Sequence, residues 1–117
     1  MKKYILYIDD DPDNQENLRF IFADGNPRLL SALSLKEARE YLAQFKGSVV
    51  AVFINAYVGS SSEINSDVLQ FVTEERDKIM LVGFGIKVDH TILLQKGCNC
   101  AYGENDVHKA IKDLGLR

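Results

Sequence analysis

Six consecutive apolar residues, Val49-Val50-Ala51-Val52-Phe53-Ile54, constrain the fold of this chain more than any other feature. A strand with one wet face alternates apolar and polar side chains. A run that is apolar at every position has protein on both faces, as in the centre of a parallel sheet. Tyr4 to Ile8 and Ile79 to Val82 read the same way. Parallel neighbours need a crossover, usually a helix, and the intervening segments carry apolar residues at helical spacing.

Those segments can be placed one by one. Leu18, Ile21 and Phe22 mark a helix from Asp13 to about Ala23, capped by Asp11 or Asp13, with Pro12 in its first turn. Gly25-Asn26-Pro27 stops it, and Arg28 to Leu33 reads as a second strand. Ser34 and Glu37 form a capping box that opens a helix striped by Leu35, Ala38, Leu42 and Phe45 and closed by Gly47. Ala56 to Asn65 is a loop with three consecutive serines, and Ile64, Val68, Leu69 and Val72 form a third stripe. The fourth strand ends at Gly83-Phe84-Gly85. Val88 to Lys96 is a short helix closed by Gly97, Cys98 to Tyr102 a fifth strand, and Val107, Ala110, Ile111 and Leu114 a last helix. The expected fold is α/β: a flavodoxin-like three-layer sandwich with a five-stranded parallel sheet and five helices, one domain over residues 1–117.

Composition removes several function classes. Fourteen Lys and Arg against seventeen Asp and Glu give a net charge of −3, without the basic excess of a nucleic-acid binder. No run of about 18 apolar residues offers a membrane span. The apolar start meets Asp9-Asp10-Asp11 too early for a signal peptide, so a cytoplasmic protein is expected. Cys98 and Cys100 are too close for an ordinary disulfide and read as free thiols on one face of the fifth strand. With His90 and His108 they match no standard zinc spacing. Gly83-Phe84-Gly85 is too short for a dinucleotide fingerprint, and no nucleophile–base pair points to an enzyme.

In sheets of this kind the site lies at the carboxyl ends of the strands. That directs attention to the residues just after each apolar run: Asp9 to Asp11, Asn55 to Tyr57, Gly83 to Gly85 and Gly103 to Asn105. Asp9 to Asp11 read, at their plainest, as strand-end and helix-capping acids, and Asn55 as a buried amide bonding across strand ends. The Ser60-Ser61-Ser62 run reads as a solvated loop rather than a phosphosite.

Ile5-Leu6-Tyr7-Ile8-Asp9-Asp10-Asp11-Pro12-Asp13, the Gly97 before the fifth strand and the lengths of all five strand–helix units resemble the receiver domains of two-component response regulators (CheY-like) over essentially the whole chain. The resemblance implies a metal site at Asp9 and Asp10, a phosphoacceptor at position 55, a hydroxyl contact at 83 and a lysine at 104. This chain keeps only the acidic pair: the other positions hold Asn55, Gly83 and Glu104, or Asn105 if the fifth strand shifts by one. An amide oxygen is a poor nucleophile for phosphorus. Glu104 sets a negative charge against an incoming phosphate, and two unit charges about 4 Å apart repel by roughly 4 kcal/mol at an effective dielectric near 20.

The resemblance therefore implies a degenerate pseudo-receiver. It would signal through protein contacts without aspartyl phosphorylation, with weak or vestigial Mg²⁺ binding and no required cofactor. The expected partner is a histidine kinase or another signalling protein, or a second copy of the chain, meeting the region from about Val88 to Leu114. With the chain ending after the last helix, no output domain is expected. Two alternatives stand beside this reading: a phosphorelay receiver modified at an unorthodox acceptor, and a small-ligand sensor using the same cleft. Relief of carboxylate crowding by Asn55 also predicts a domain that folds well without Mg²⁺.

Overall fold

The computed structural model describes residues 3–60 and 63–116. Ser61 and Ser62 of the serine run lie outside the described residues. The elements run β1 (Tyr4–Ile8), α1 (Pro12–Ile21), β2 (Arg28–Ala32), α2 (Leu35–Gln44), β3 (Val49–Asn55), α3 (Ser66–Glu75), β4 (Met80–Phe84), a single 3₁₀ turn (Lys87–Asp89), α4 (His90–Lys96), β5 (Cys100–Tyr102) and α5 (Val107–Asp113). All strand pairs are parallel, in the order β2-β1-β3-β4-β5. This is the flavodoxin-like sandwich expected from the sequence.

Side-chain alternation along the strands builds two cores. Leu6, Ile8, Val52, Ile54 and Leu81 pack against Ala38, Phe71 and Leu93 of α2, α3 and α4. Ile5, Tyr7, Ala51, Phe53 and Phe84 pack against Leu18, Ala110 and Ile111 of α1 and α5. The order reverses between β1 and β3, so the topological switch point falls where Asp9 follows β1 and Asn55 ends β3.

Several boundaries differ from expectation, each for a local reason. β2 stops at Ala32 because the Leu33 N–H turns to Glu37 Oε1, 2.8 Å away, while Ser34 Oγ accepts from the Glu37 N–H. The third helix begins after Asn65, whose Oδ1 caps the Val68 N–H at 2.9 Å. Ile64 therefore precedes the helix, and Phe71 rather than Leu69 is fully buried. β4 continues through Gly83 and Phe84 rather than ending at Val82. The expected helix from Val88 starts with a 3₁₀ turn and becomes α-helical at His90. β5 begins only at Cys100, and the two cysteines do not share a face: Cys98 packs into the α2–α4 core and Cys100 against the α1/α5 core. Burial pushes the Cys98 thiol up to about 12, which keeps it protonated and inert.

Gly83 stays in β4 because α4 lies directly on it. A Cβ at that position would sit 3.0 Å from Leu93 Cδ1 and 3.2 Å from Cys98 Sγ. Among the described residues, no helix is long and apolar enough to cross a membrane.

Candidate functional site at the carboxyl edge of the sheet

Asp9 is the centre of the edge. It is 1% exposed, and both carboxylate oxygens are occupied. Oδ1 accepts the Asp11 N–H at 3.0 Å. Oδ2 accepts the Tyr7 hydroxyl at 2.6 Å, Asn14 Nδ2 at 3.0 Å and Asn55 Nδ2 at 3.2 Å. A buried carboxylate is tolerable when its lone pairs are filled in this way. Burial, followed by the hydrogen bond to Asp9 and the charges of Asp9 and Asp11, pushes the Tyr7 phenol far above its ordinary range, so it remains a donor.

Gln15 supports this arrangement from α1. It is fully buried, and its Nε2 reaches Tyr7 O, Asp9 O and Ala32 O at 3.2, 3.0 and 2.9 Å, tying β1 and β2 to the helix. Its Oε1 has no partner among the described residues.

The Asn55 amide is oriented by its two ends. Oδ1 accepts the Tyr57 N–H at 2.8 Å, which leaves Nδ2 facing Asp9. Its carbonyl oxygen, the atom a cation would need, is therefore in use. The next amide is also fixed: Ala56 N–H donates to Phe84 O at 2.8 Å, and Ala56 is fully buried. Deamidation of Asn55 through a succinimide would require that nitrogen to attack the side-chain carbon, so this route to Asp is disfavoured where the chain is folded.

From Tyr57 the hydrogen-bond chain crosses to the segment after β4. Tyr57 OH donates to Asp89 Oδ2 at 2.5 Å and accepts the Ile86 N–H at 2.9 Å. Burial, the Asp89 hydrogen bond and the charges of Asp89 and Glu104 push this phenol up to about 12, against the opposing Ile86 N–H. Gly85 makes the approach possible, since a Cβ there would lie 3.2 Å from the Tyr57 oxygen. A His90 ring nitrogen meets Gly85 O at 2.9 Å, holding the same turn.

The remaining acids have separate duties. Asp11 Oδ1 caps α1 through the Asp13 N–H at 2.9 Å, and Asp10 Oδ2 accepts the Gly59 N–H at 3.1 Å. Both carboxylates of the sequence pair thus already hold backbone donors. The residues present do not fit a divalent cation in this arrangement: Asp9 is saturated and Asn55 presents its NH₂ group. Among the described residues, no group of three or more His, Cys, Asp or Glu is placed to hold a metal ion.

Of the positions singled out in the sequence, Asp9 and Asn55 meet, while Asp10 turns to the Gly59 amide of the loop after β3. Gly83 does not face them; it pairs with Ile54 and its Cβ direction points at Leu93 and Cys98. Glu104 and Asn105 are exposed after β5 and line a cavity with Tyr7 and Asn14. Tyr102 stacks on Phe84 at 6.1 Å between centroids and donates to Asp113 at 3.3 Å. Tyr57 lies in the stretch singled out after β3, though its bonds to Asp89 and Ile86 were not foreseen, and neither were Tyr7, Asn14, Gln15 and Asp89. Gln15 had a visible signal, a polar residue on the apolar α1 stripe with Leu18 and Phe22.

No protein-family model matches the chain, and no curated protein is similar to it in sequence. Solved structures are similar in shape. The receiver domain of the trimethylamine-N-oxide respiratory response regulator TorR is 17% identical, with a TM-score of 0.76 over 98% of this chain and 98% of that one. A two-component response regulator from Clostridium difficile is 15% identical, with a TM-score of 0.75 over 97% and 93%. The chain has the fold of a response-regulator receiver domain. A third example is the Saccharomyces cerevisiae Ssk1 receiver domain, crystallised with the histidine phosphotransfer protein Ypd1. It is 14% identical, with a TM-score of 0.73 over 97% and 86%.

Proposed function

We propose that this chain is a receiver-fold signalling module that works through protein contacts, without aspartyl phosphorylation and without a requirement for Mg²⁺. One observation carries the reading. At the position where the resemblance implies a nucleophilic carboxylate, Asn55 donates its NH₂ to Asp9 and offers its oxygen to the backbone. Neutral donors fill the role that a cation would otherwise have beside a carboxylate. The protein is cytoplasmic on this reading, and it is not an enzyme.

The partner is another signalling protein, and a histidine phosphotransfer protein is the first to test, by analogy with the Ssk1 complex. The surface expected from the sequence holds exposed Val88 and Leu94, with Ile86 just before it. Incubating the protein with acetyl phosphate and Mg²⁺, followed by mass spectrometry, tests the central point. An unmodified mass is expected. A rapid stoichiometric adduct of one phosphoryl group would overturn the reading and favour an unorthodox acceptor.

A further inference from the structure

Between α1 and the segment after β5 lies an open cavity of about 290 Å³. Asn14 and Asn17 line it from α1, on the same face as Leu18 and Ile21. Glu104 and Asn105 line it from the other side, and Tyr7 and Phe20 add aromatic rings. Phe20 is 85% exposed, and none of the described residues covers its ring.

The lining carries one carboxylate, from Glu104, and three asparagine amides that can accept as well as donate. Asn14 commits its Nδ2 to Asp9, which leaves its carbonyl oxygen as the end available to a ligand. No Lys or Arg among the described residues lines the cavity. Among the described residues, Asp9, Asp10, Asp11 and Glu104 enter no ion pair, so the edge is negative. An anion is repelled here. A purely apolar compound would leave a carboxylate and amides without partners. A planar cation rich in N–H donors satisfies both the carboxylate, bidentately, and the exposed aromatic face.

We propose that this cavity binds a guanidinium group, with Glu104 as its counter-charge, the oxygens of Asn14, Asn17 and Asn105 as acceptors and Phe20 as its stacking surface. The group belongs either to a small free compound or to an arginine side chain of a partner. Asn14 also bonds Asp9, so occupancy reaches the Asp9–Asn55–Tyr57 chain. The site thus gives an input other than phosphorylation, and the proposal stands whether or not the chain accepts phosphate.

The test is an NMR titration of the ¹⁵N-labelled full chain with agmatine and, separately, with an acetyl-Gly-Arg-Gly-amide peptide. Inorganic phosphate serves as the anion control. Saturable shifts are expected in the side-chain amides of Asn14, Asn17 and Asn105 and in the Glu104 backbone. Glu104→Gln, an exposed and fold-neutral change, is expected to weaken binding about tenfold, the loss of one charge-assisted pair. Glu16→Gln on the same helix is expected to leave binding unchanged. Tighter agmatine binding assigns the site to a free compound, and tighter peptide binding to a partner's arginine. No saturable shift with either cation up to about 10 mM would overturn the proposal. Equal shifts with phosphate, or an indifferent Glu104→Gln, would do the same.

Discussion

Asn55 Nδ2 donates to Asp9 Oδ2 across 3.2 Å, joining the last residue of β3 to the first residue after β1. The contact turns two strand ends into one polar unit. Asn55→Asp would replace that donor by a second carboxylate against a buried one. A shift of the new carboxyl's pKa above its unfolded value is expected from the repulsion. With that sign, the loss of stability is present at neutral pH and disappears as pH falls and the carboxyl protonates. A cost of about 1–3 kcal/mol at pH 7 is expected, measured by denaturant melts at pH 7 and pH 4. The variant is also expected to remain unlabelled by acetyl phosphate, since Gly83 and Glu104 are unchanged. Rapid labelling would mean that these two losses matter less than Asn55.

Tyr57 fixes the segment after β4 by donating to Asp89 and accepting from Ile86. Tyr57→Phe keeps the ring and deletes both bonds, leaving a part-buried N–H without its partner. A cost of about 1–3 kcal/mol is expected. Faster hydrogen exchange should be confined to the amides around Ile86 and the 3₁₀ turn. Uniform acceleration across the sheet would instead mean that Tyr57 is a general core residue and not a local latch.

The alkaline limb of stability follows from raised pKa values. Tyr57 rises from 10.0 to about 12, and Cys98 from 9.0 to about 12. Each group ionises first in the unfolded chain, so the unfolded state binds fewer protons over that window and stability falls as pH rises from 9 towards 12. Tyr57→Phe and Cys98→Ala should each flatten this decline, whatever they do at pH 7. Melting temperatures recorded across the window read the slopes directly.

Much of this architecture is legible in the sequence. Strands buried on both faces give continuous apolar runs, and Ser34 with Glu37 marks the start of α2 without ambiguity. The site is less legible because its bonds join residues far apart in the chain. Tyr57 and Asp89 are 32 positions apart, and nothing local links them. Tyr7 looks like one more apolar residue until the fold turns its hydroxyl towards Asp9. Gly83 reads as a strand breaker, yet it is required inside β4 because Leu93 and Cys98 fill the space a side chain would need. The cysteines at 98 and 100 suggest one face by their spacing. The late start of β5 places them on opposite layers.

Gly83→Thr follows from that packing. The substitution restores a hydroxyl at the position the family resemblance marks, but its Cβ must enter the 3.0 Å gap to Leu93. Overpacking of this kind costs about 1–3 kcal/mol, and the methyl and hydroxyl add to it. A lower melting temperature without any gain in phosphate labelling is expected. Adding Leu93→Ala should recover part of the loss by opening the space, so the double variant should fall short of the sum of the single effects.

Gln15→Leu tests the last support of the site. Its Nε2 serves three backbone carbonyls, of which Asp9 O and Ala32 O are the nearer. Leucine is close in size and leaves them without this donor, while also removing the unpartnered Oε1. The two effects oppose each other. Loss of the donor is worth about 1–3 kcal/mol, and deletion of an unsatisfied buried acceptor returns part of it. A net loss near the lower end of that range is expected in chemical denaturation, with the amides of Asp9 and Ala32 exchanging faster than those of β4. Full wild-type stability would show that the β1–β2 edge holds itself together, and that Gln15 is a passenger on α1 rather than the residue that positions Asp9.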